Sequence, residues 1–409
     1  YHAPLENVQH FEERFPADFV CEAVDQTRGW FYSLIAVSTL LFDQSSYRNV
    51  VCLGLILDAR GRKMSKSLGN TIEPYEVIDR YGADALRWYF FTSKQPWDGY
   101  LFSLDAVGES VRLFLLQLWN TYTFHVLYAN ATAEPKPSEP SELDHWILSR
   151  LQATVETVCE RMDDFDATNA GREIAAFVDD LSNWYVRRSR PAFWDGSQAA
   201  LDTLRTVLVT TAQLLAPFTP FIADEIYDNL DGAEPSVHLT DFPRPNPDLR
   251  DLGLEQAMAT ARETVRLGLA ARAQAKVKLR QPLHAAVVVA TGTERQAIER
   301  LAQIIQDELN VKQLTFVERA DELGEVELKP NYRTLGPRFG KHMPTVAAAI
   351  AGLDPVHTAE RLANDETIAI SIDGHDHALT QDDLLVGMKP LEGYQVEREG
   401  SHAVALELE

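Results

Sequence analysis

Four cationic side chains, Arg60, Arg62, Lys63 and Lys66, fall within seven residues of the stretch RGRKMSKSLGN (60–70). They share it with Ser65, Ser67, Gly61 and Gly69, between an apolar run and a helical pattern. Neither G-x-x-x-x-G-K-[ST] nor G-x-G-x-x-G occurs here, so anion binding would rest on side chains rather than on a backbone cradle. Lysine ammonium groups are compact charges on flexible stems, which suits a polyphosphate that moves during reaction. A small-residue loop carrying them could close over a triphosphate and stabilise charge on a departing pyrophosphate. On composition alone the stretch reads equally as a solvated basic turn. A second polar group stands at the end of the apolar DFVCEAV (18–24): Glu22 within it, and Asp25 and Gln26 just after it. A carboxylate at the carboxyl end of a strand can hold an α-ammonium group by a charge-assisted hydrogen bond.

The elements that must position these groups are legible as patterns. Residues 18–24 and 49–57 read as buried strands, and 29–42 as an apolar helix with Trp30 and Phe31 in the core. Apolar strands separated by a helix suggest a parallel βαβ unit, whose ligands lie beyond the carboxyl ends of the strands. Pro74 can open a helix and Gly82 can end one. A helical pattern rich in aromatics covers about 105–130, and the Pro- and Ser-rich segment 131–142 reads as a linker. Long amphipathic segments over 143–230 suggest a helix bundle, with a second linker at 242–250. Beyond it come a helix over 253–276, a strand at 284–290, a helix at 293–309 and a strand at 311–317. Residues 367–374 and 401–409 alternate like strands, and no internal repeat is visible.

The pentapeptide KMSKS, followed by LGN and PYEVIDRYGADALRWYF, resembles the second signature of class I aminoacyl-tRNA synthetases. EAVDQTRGWFYSL (22–34) resembles the DQ-x-RGWF stretch of the isoleucyl branch. Residues 181–194, 215–227, 276–283 and 329–341 resemble later segments of that branch, the last being typical of its archaeal and eukaryotic members. The resemblance covers nearly the whole chain and weakens beyond about 342. It implies a multi-domain protein: the second half of a Rossmann-like α/β sheet, then an α-helical bundle and a small α+β region. The implied boundaries are 1–104 for the half catalytic domain, 105–142 for a connector, 143–245 for an anticodon-binding bundle and 246–409 for a tRNA-contacting region.

The resemblance also implies chemistry: isoleucyl-adenylate formed from L-isoleucine and ATP with Mg2+, then transfer to tRNA(Ile). Lys66 would bind ATP phosphate, with Lys63 assisting and Ser65 in the same site. Glu22 would contact the aminoacyl-adenylate, with Asp25 and Gln26 beside it. WYVRRSR places Trp184, Arg187, Arg188 and Arg190 in one stretch, and arginine with aromatics suits unstacked anticodon bases. A second basic run, Arg262, Arg266, Arg272, Lys276, Lys278 and Arg280, reads either as a tRNA track or as a solvated helix face. The chain departs from the pattern in two places. Ala23-Val24 stands where the family often has Gly-Ser, and H-x-G-H, the first class I signature, occurs nowhere among the 11 histidines. In the family that motif and the inserted editing domain lie in a part that would precede Tyr1, so no editing site is expected here. Two readings follow: half the active site of a synthetase, monomeric at full length and cytoplasmic, or a non-catalytic tRNA-binding fragment or paralogue.

Composition bounds the rest. The 409 residues carry 61 acidic against 38 basic side chains, a formal charge of −23, and only 10 of the cations are lysine. Cys21, Cys52 and Cys159 are too few for a disulfide framework and too scattered for a metal box, so no zinc is expected and a reducing interior is suggested. No apolar run approaches the length of a membrane span and no signal-peptide pattern opens the chain, which starts at Tyr1 and is expected to begin inside a longer protein. Self-repulsion on this scale fits either a salt-loving source or an ordinary acidic protein. In the first case the urea midpoint climbs steeply between low and molar salt; a midpoint indifferent to salt removes that reading.

Overall fold

The computed structural model describes residues 6–230, 232–319, 322–372, 374–400 and 402–408, except the side chains of Lys66, Glu360, Ala363 and Met388. The chain forms two compact units, Tyr1–Asp251 and Leu252–Glu409.

The first unit opens with α1 (Val8–Glu12) and β1 (Ala17–Ala23). A 3-10 turn leads into α2 (Trp30–Phe42), which returns the chain to β2 (Tyr47–Leu53). β1 and β2 pair in parallel, with Glu22 opposite Cys52, as the apolar runs predict. Rings of Phe11, Phe15 and Phe42 meet at 4.7 to 5.1 Å and fasten α1 to the end of α2. Only one of the two expected core aromatics is buried. Phe31 is 5% exposed, whereas Trp30 is 44% exposed, because adjacent helical residues point about 100° apart.

The expected strand over 49–57 breaks at Gly54. Its N–H donates to the Pro96 carbonyl at 2.7 Å, and a Cβ at Gly54 would lie 2.6 Å from the Asp98 carbonyl oxygen. Only glycine fits that approach. The chain restarts as β3 (Ile56–Leu57), which pairs in parallel with β4 (Tyr100–Leu101) rather than with β1. The cationic stretch therefore leaves from β3, outside the β1–β2 sheet, which corrects the sequence reading.

After the loop come α3 (Pro74–Tyr81) and α4 (Ala83–Thr92), separated by Gly82 at φ +86°. α5 (Leu104–Ser110) runs through a π-helical turn into α6 (Leu116–Ala131). The bundle follows: α7 (Glu142–Asp163), α8 (Ala167–Asp179), a π-helical stretch (Asp180–Val186), α9 (Arg187–Trp194), α10 (Gln198–Leu215) and α11 (Pro220–Asn229). α7 begins with a Ser141/Asp144 capping box. α8 buries Ala170, Gly171, Ile174, Phe177 and Val178 at helical spacing. Each large apolar side chain so buried contributes about 1.5–3 kcal/mol of transfer free energy. The Pro- and Ser-rich segment before α7 is docked: Lys136 accepts from Gln198 N–H at 2.9 Å and donates to the Gly196 carbonyl at 2.7 Å.

In the second unit α12 (Leu252–Gln274) packs on a four-stranded sheet. Its strands are β5 (Leu283–Val289), β6 (Val311–Val317), β11 (Tyr394–Glu399) and β12 (His402–Glu407), in the order β11–β12–β5–β6. β5 and β6 run in parallel and the other neighbours antiparallel. The helix expected over 293–309 is two, α13 (Gly292–Arg300) and α14 (Ala302–Leu309), divided at Leu301. β7 (Gly324–Pro330) pairs antiparallel with β10 (Leu384–Pro390), and β8 (Ile368–Ile372) with β9 (His375–Leu379). α15 (Tyr332–Phe339), α16 (Met343–Ala351) and α17 (Pro355–Ala363) complete this unit around Leu335, Val346, Ile350 and Leu379. His402 links three elements, 2.9 Å from Thr264 Oγ1 and 2.6 Å from Glu294 Oε1.

Within the first unit, α4 is bolted to the bundle by polar groups at both ends. Asp84, 8% exposed, accepts from the Ile222 N–H at 2.7 Å and the Phe221 N–H at 3.4 Å, capping α11, whose own N-cap residue makes no side-chain bond. Arg87 donates to the carbonyls of Phe218 and Pro217 at 3.0 and 2.7 Å. Arg172 of α8 donates to Thr92 and Ser93, each at 2.9 Å. Burial pushes the Asp84 carboxyl up, against the opposing pull of the two amides and Arg87. Asp84→Ala should lower the urea-unfolding free energy by about 1–3 kcal/mol, since two helix-end N–H groups lose their acceptor. Asp84→Asn keeps an acceptor oxygen, sheds the burial cost of the charge and should lose less.

Candidate functional site

Residues 58–70 form a loop closed at its neck. Asn70 Nδ2 donates to Asp58 Oδ2 at 3.0 Å. Asp58 Oδ1 accepts the backbone N–H groups of Arg60 and Arg62, both at 2.9 Å. Asp58 Oδ2 also takes the Arg62 guanidinium, Nε at 2.9 Å and Nη2 at 2.8 Å. Asn70 reaches farther into the loop: its Oδ1 accepts the Ser65 N–H at 2.9 Å, and its Nδ2 donates to the Lys63 carbonyl at 3.3 Å. The main chain adds Asp58 N–H to Arg62 O at 2.8 Å and a bridge between Leu57 and Lys63. Gly61, at φ +75°, makes the turn between the two arginines. The Asn70 amide, followed by the Arg62 backbone and side chain, holds the Asp58 carboxyl well below the usual carboxylate range.

The four cations are therefore not equivalent. Arg62 is spent on Asp58. Arg60 and Lys63 are exposed and form no ion pair among the described residues. The Lys66 side chain lies outside the described residues; its backbone opens a 3-10 turn, Lys66–Leu68. Ser65 Oγ lies 3.1 Å from Ser67 Oγ and accepts from Leu68 N–H at 3.3 Å, so it serves the loop's own shape.

Because β1 and β2 are parallel, Glu22 and the exit of β2 lie at the same edge of their sheet. Glu22 is exposed, and its side chain accepts only a weak bond among the described residues, from the Ala23 N–H at 3.4 Å. Asp25 is exposed and accepts from Gln26 Nε2 at 3.0 Å, while Gln26 Oε1 accepts the Trp30 N–H at 2.9 Å. Gln26 thus starts α2 and steadies Asp25, a task its position four residues before Trp30 makes visible in hindsight. An apolar cavity of about 370 Å³, lined by Cys21, Val51, Leu53, Phe90 and Phe165 among others, lies on the Cys21 face of the strand pair; Glu22, by strand alternation, points to the other face.

The bundle's aromatic and basic stretch divides. Trp184 is 7% exposed and Tyr185 fully buried, its hydroxyl donating to Asp144 Oδ1 at 2.6 Å. Trp184 is thus interior and cannot stack on a base, which corrects the sequence reading. The cause is the π-helical stretch, which turns residues 184, 185 and 186 inward in succession. Arg188 lies over the Trp184 ring at 5.5 Å, Arg187 donates to the Asn183 carbonyl at 2.9 Å, and Arg190 is exposed. The second basic run divides too. Arg272 is 2% exposed and donates to the carbonyls of Leu309, Asn310, Lys278 and Gln281, and Arg266 pairs with Glu263 and Glu399, so neither offers a free charge. Among the described residues no group of three or more His, Cys, Asp or Glu side chains could hold a metal ion, and no helix is long and apolar enough to cross a membrane.

Comparison with known proteins agrees with this arrangement. Residues 1–99 match the family described as tRNA synthetases class I (I, L, M and V), and residues 144–288 match the anticodon-binding domain of tRNA ligases. The chain belongs to the class I tRNA synthetases. Within that class its sequence is similar to isoleucine–tRNA ligases: 44% identical to that of Streptomyces avermitilis over 99% of this chain, and 45% identical to that of Thermobifida fusca over 100% of it. In both cases the chain spans 40% of the relative's length. These relatives lend no support to an archaeal or eukaryotic branch. The solved methionyl-tRNA synthetase of Mycobacterium tuberculosis, in complex with methionyl-adenylate, shares the fold at a TM-score of 0.51 and 22% identity, over 57% of this chain and 48% of that one.

A depressed carboxyl stabilises the loop above the ordinary carboxylate range, and that contribution is lost only as pH falls through the depressed folded value. Amide exchange at Arg60, Arg62 and Ser65 should therefore stay slow from about pH 7 down to about pH 4, just above the ordinary aspartate value. Asp58→Ala should speed exchange at these amides at neutral pH, read by hydrogen-exchange mass spectrometry.

Proposed function

We propose that this chain supplies the second half of the adenylate-forming site and the tRNA-binding bundle of an isoleucyl-tRNA synthetase. The observation that carries the reading is the closed KMSKS loop following strands whose carboxyl edge bears the exposed Glu22. β1, α2 and β2 then represent the second half of a Rossmann-like sheet within 1–104, with 105–142 as connector. The exposed Glu22 carboxylate holds the α-ammonium of isoleucine, and Asp25, steadied by Gln26, lines the same edge. The isoleucine carboxylate attacks the α-phosphorus of ATP, which arrives with Mg2+, and pyrophosphate departs. Lys63 and Lys66 compensate the charge that grows on the departing phosphates, and Ser65 keeps the turn that presents them. Residues 143–245 hold the anticodon stem of tRNA(Ile) through Arg187, Arg188 and Arg190, and 246–409 contacts the tRNA farther along. The complete enzyme works as a cytoplasmic monomer.

A non-catalytic tRNA-binding fragment or paralogue is the second reading, favoured by the lack of H-x-G-H among the 11 histidines. An in-frame H-x-G-H upstream of Tyr1 decides against it. In a protein of full synthetase length carrying these residues, isoleucine-dependent exchange of pyrophosphate into ATP should fall roughly 100-fold or more on Lys66→Ala, as for loss of one group that stabilises transition-state charge. Unchanged exchange removes the loop from the chemistry. Charge reversal at Arg187 and Arg188 should leave exchange intact and raise KM for tRNA(Ile); an unchanged KM removes the bundle assignment.

A further inference from the structure

Asp58 and Asn70 lie outside the KMSKS pentapeptide, yet they make most of the bonds that give its loop a shape. The loop is 13 residues from Asp58 to Asn70, and its two end side chains are joined to each other at 3.0 Å. A compact loop pinned at its neck is an Ω-loop, which holds one shape through its own side chains. From that neck Asp58 fixes the backbone at residues 60 and 62, and Asn70 fixes it at 63 and 65. Residues 60, 62, 63 and 65 are thereby each tied to one of two adjoining side chains.

Cations on an unpinned loop would each lose backbone freedom as a polyphosphate ordered them, about 1–2 kcal/mol per residue fixed. A pinned loop has met that cost during folding. The neck also explains why Arg62 is paired internally: it balances the buried Asp58 carboxylate, while Arg60 and Lys63 stay exposed.

We propose that Asp58 and Asn70 are positioning residues for adenylate formation, holding the loop so that its cations meet the ATP phosphates as one preset body. This rests on the functional reading above. Neither residue touches the reacting atoms; both act through the backbone they bind. The effect belongs to the step in which charge moves onto pyrophosphate, so it appears in kcat for exchange and not in the affinity for isoleucine.

The test uses protein of full synthetase length and the pyrophosphate exchange assay, with Lys66→Ala alongside. Asn70→Ala removes the neck bond and the Ser65 acceptor while leaving the Asp58–Arg62 pair. It should lower kcat roughly 10- to 100-fold, as expected for lost bonds to a charged group, with KM for isoleucine within about twofold and the melting temperature unchanged. The exchanged pair Asp58→Asn with Asn70→Asp restores an amide–carboxylate neck and an acceptor for Ser65, and should recover a large part of that loss. Asn70→Ala at parental rate beside an inactive Lys66→Ala overturns the positioning role and leaves the functional reading standing. A loss that the exchanged pair does not recover, or that comes with a lowered melting temperature, marks a structural role only and overturns it as well. Exchange unaffected by Lys66→Ala removes the functional reading, and this proposal with it.

Discussion

The buried carboxylate of Asp84 is the contact on which the first unit depends. It caps α11 from another part of the chain, 138 residues earlier in sequence than the Ile222 N–H it accepts. Arg87, one turn on, takes the two carbonyls just before that helix. Trp88 fills the space between them, stacked on Phe114 at 3.8 Å and edge-on to Phe218 at 6.1 Å. α4 is therefore part of the bundle's interior as much as a continuation of the strand–loop–helix segment. Since α3 begins only four residues after Asn70, the exit of the cationic loop is referenced to the bundle through a short path of rigid elements. The junction of α4 with the bundle is made of one buried carboxylate, exposed guanidinium groups bound to backbone carbonyls, and stacked rings rather than a tether.

Much of this was legible in the residues. β1 and α2 announced themselves as apolar runs of about the right length, whereas the second strand was read too long and the expected burial of both strands holds only at Val20; Pro74 and Gly82 bounded α3 as their chemistry requires. The bundle helices carried a clear 3.6-residue stripe. The errors share a cause: each depended on a partner distant in sequence or on an irregular helical turn. Gly54 sits in an unbroken apolar run, and only the carbonyl of Asp98 shows why the strand stops there. Trp184 looked available because a π-helical stretch has no periodic signature. Arg272 looked like a surface charge because the four carbonyls that bury it come from elements up to 38 residues away.

The candidate site divides in the same way. Its cations and Glu22 were visible, because charged residues at strand ends are conspicuous. Asp58 and Asn70 were not, because an Asp and an Asn in a loop read as ordinary turn formers. The possible signal was their enclosing position, one on each side of the cationic run. Gln26 was visible but its engagement in starting α2 was not, since that depends on which way its amide points.

The charge asymmetry of the chain bears on how an anion would arrive. A chain with a formal charge of −23 repels anions at long range, so exposed loop cations such as Arg60 and Lys63 cannot steer an anionic ligand from afar. Their pull acts within a screening length of about 8 Å at physiological ionic strength, and below that ionic strength the surrounding acidic field reaches farther than the loop does. For most proteins that bind polyanions, added salt slows encounter. Here modest salt mutes the repulsive body more than the short-range loop, so encounter with the loop becomes faster before direct competition for the lysines sets in.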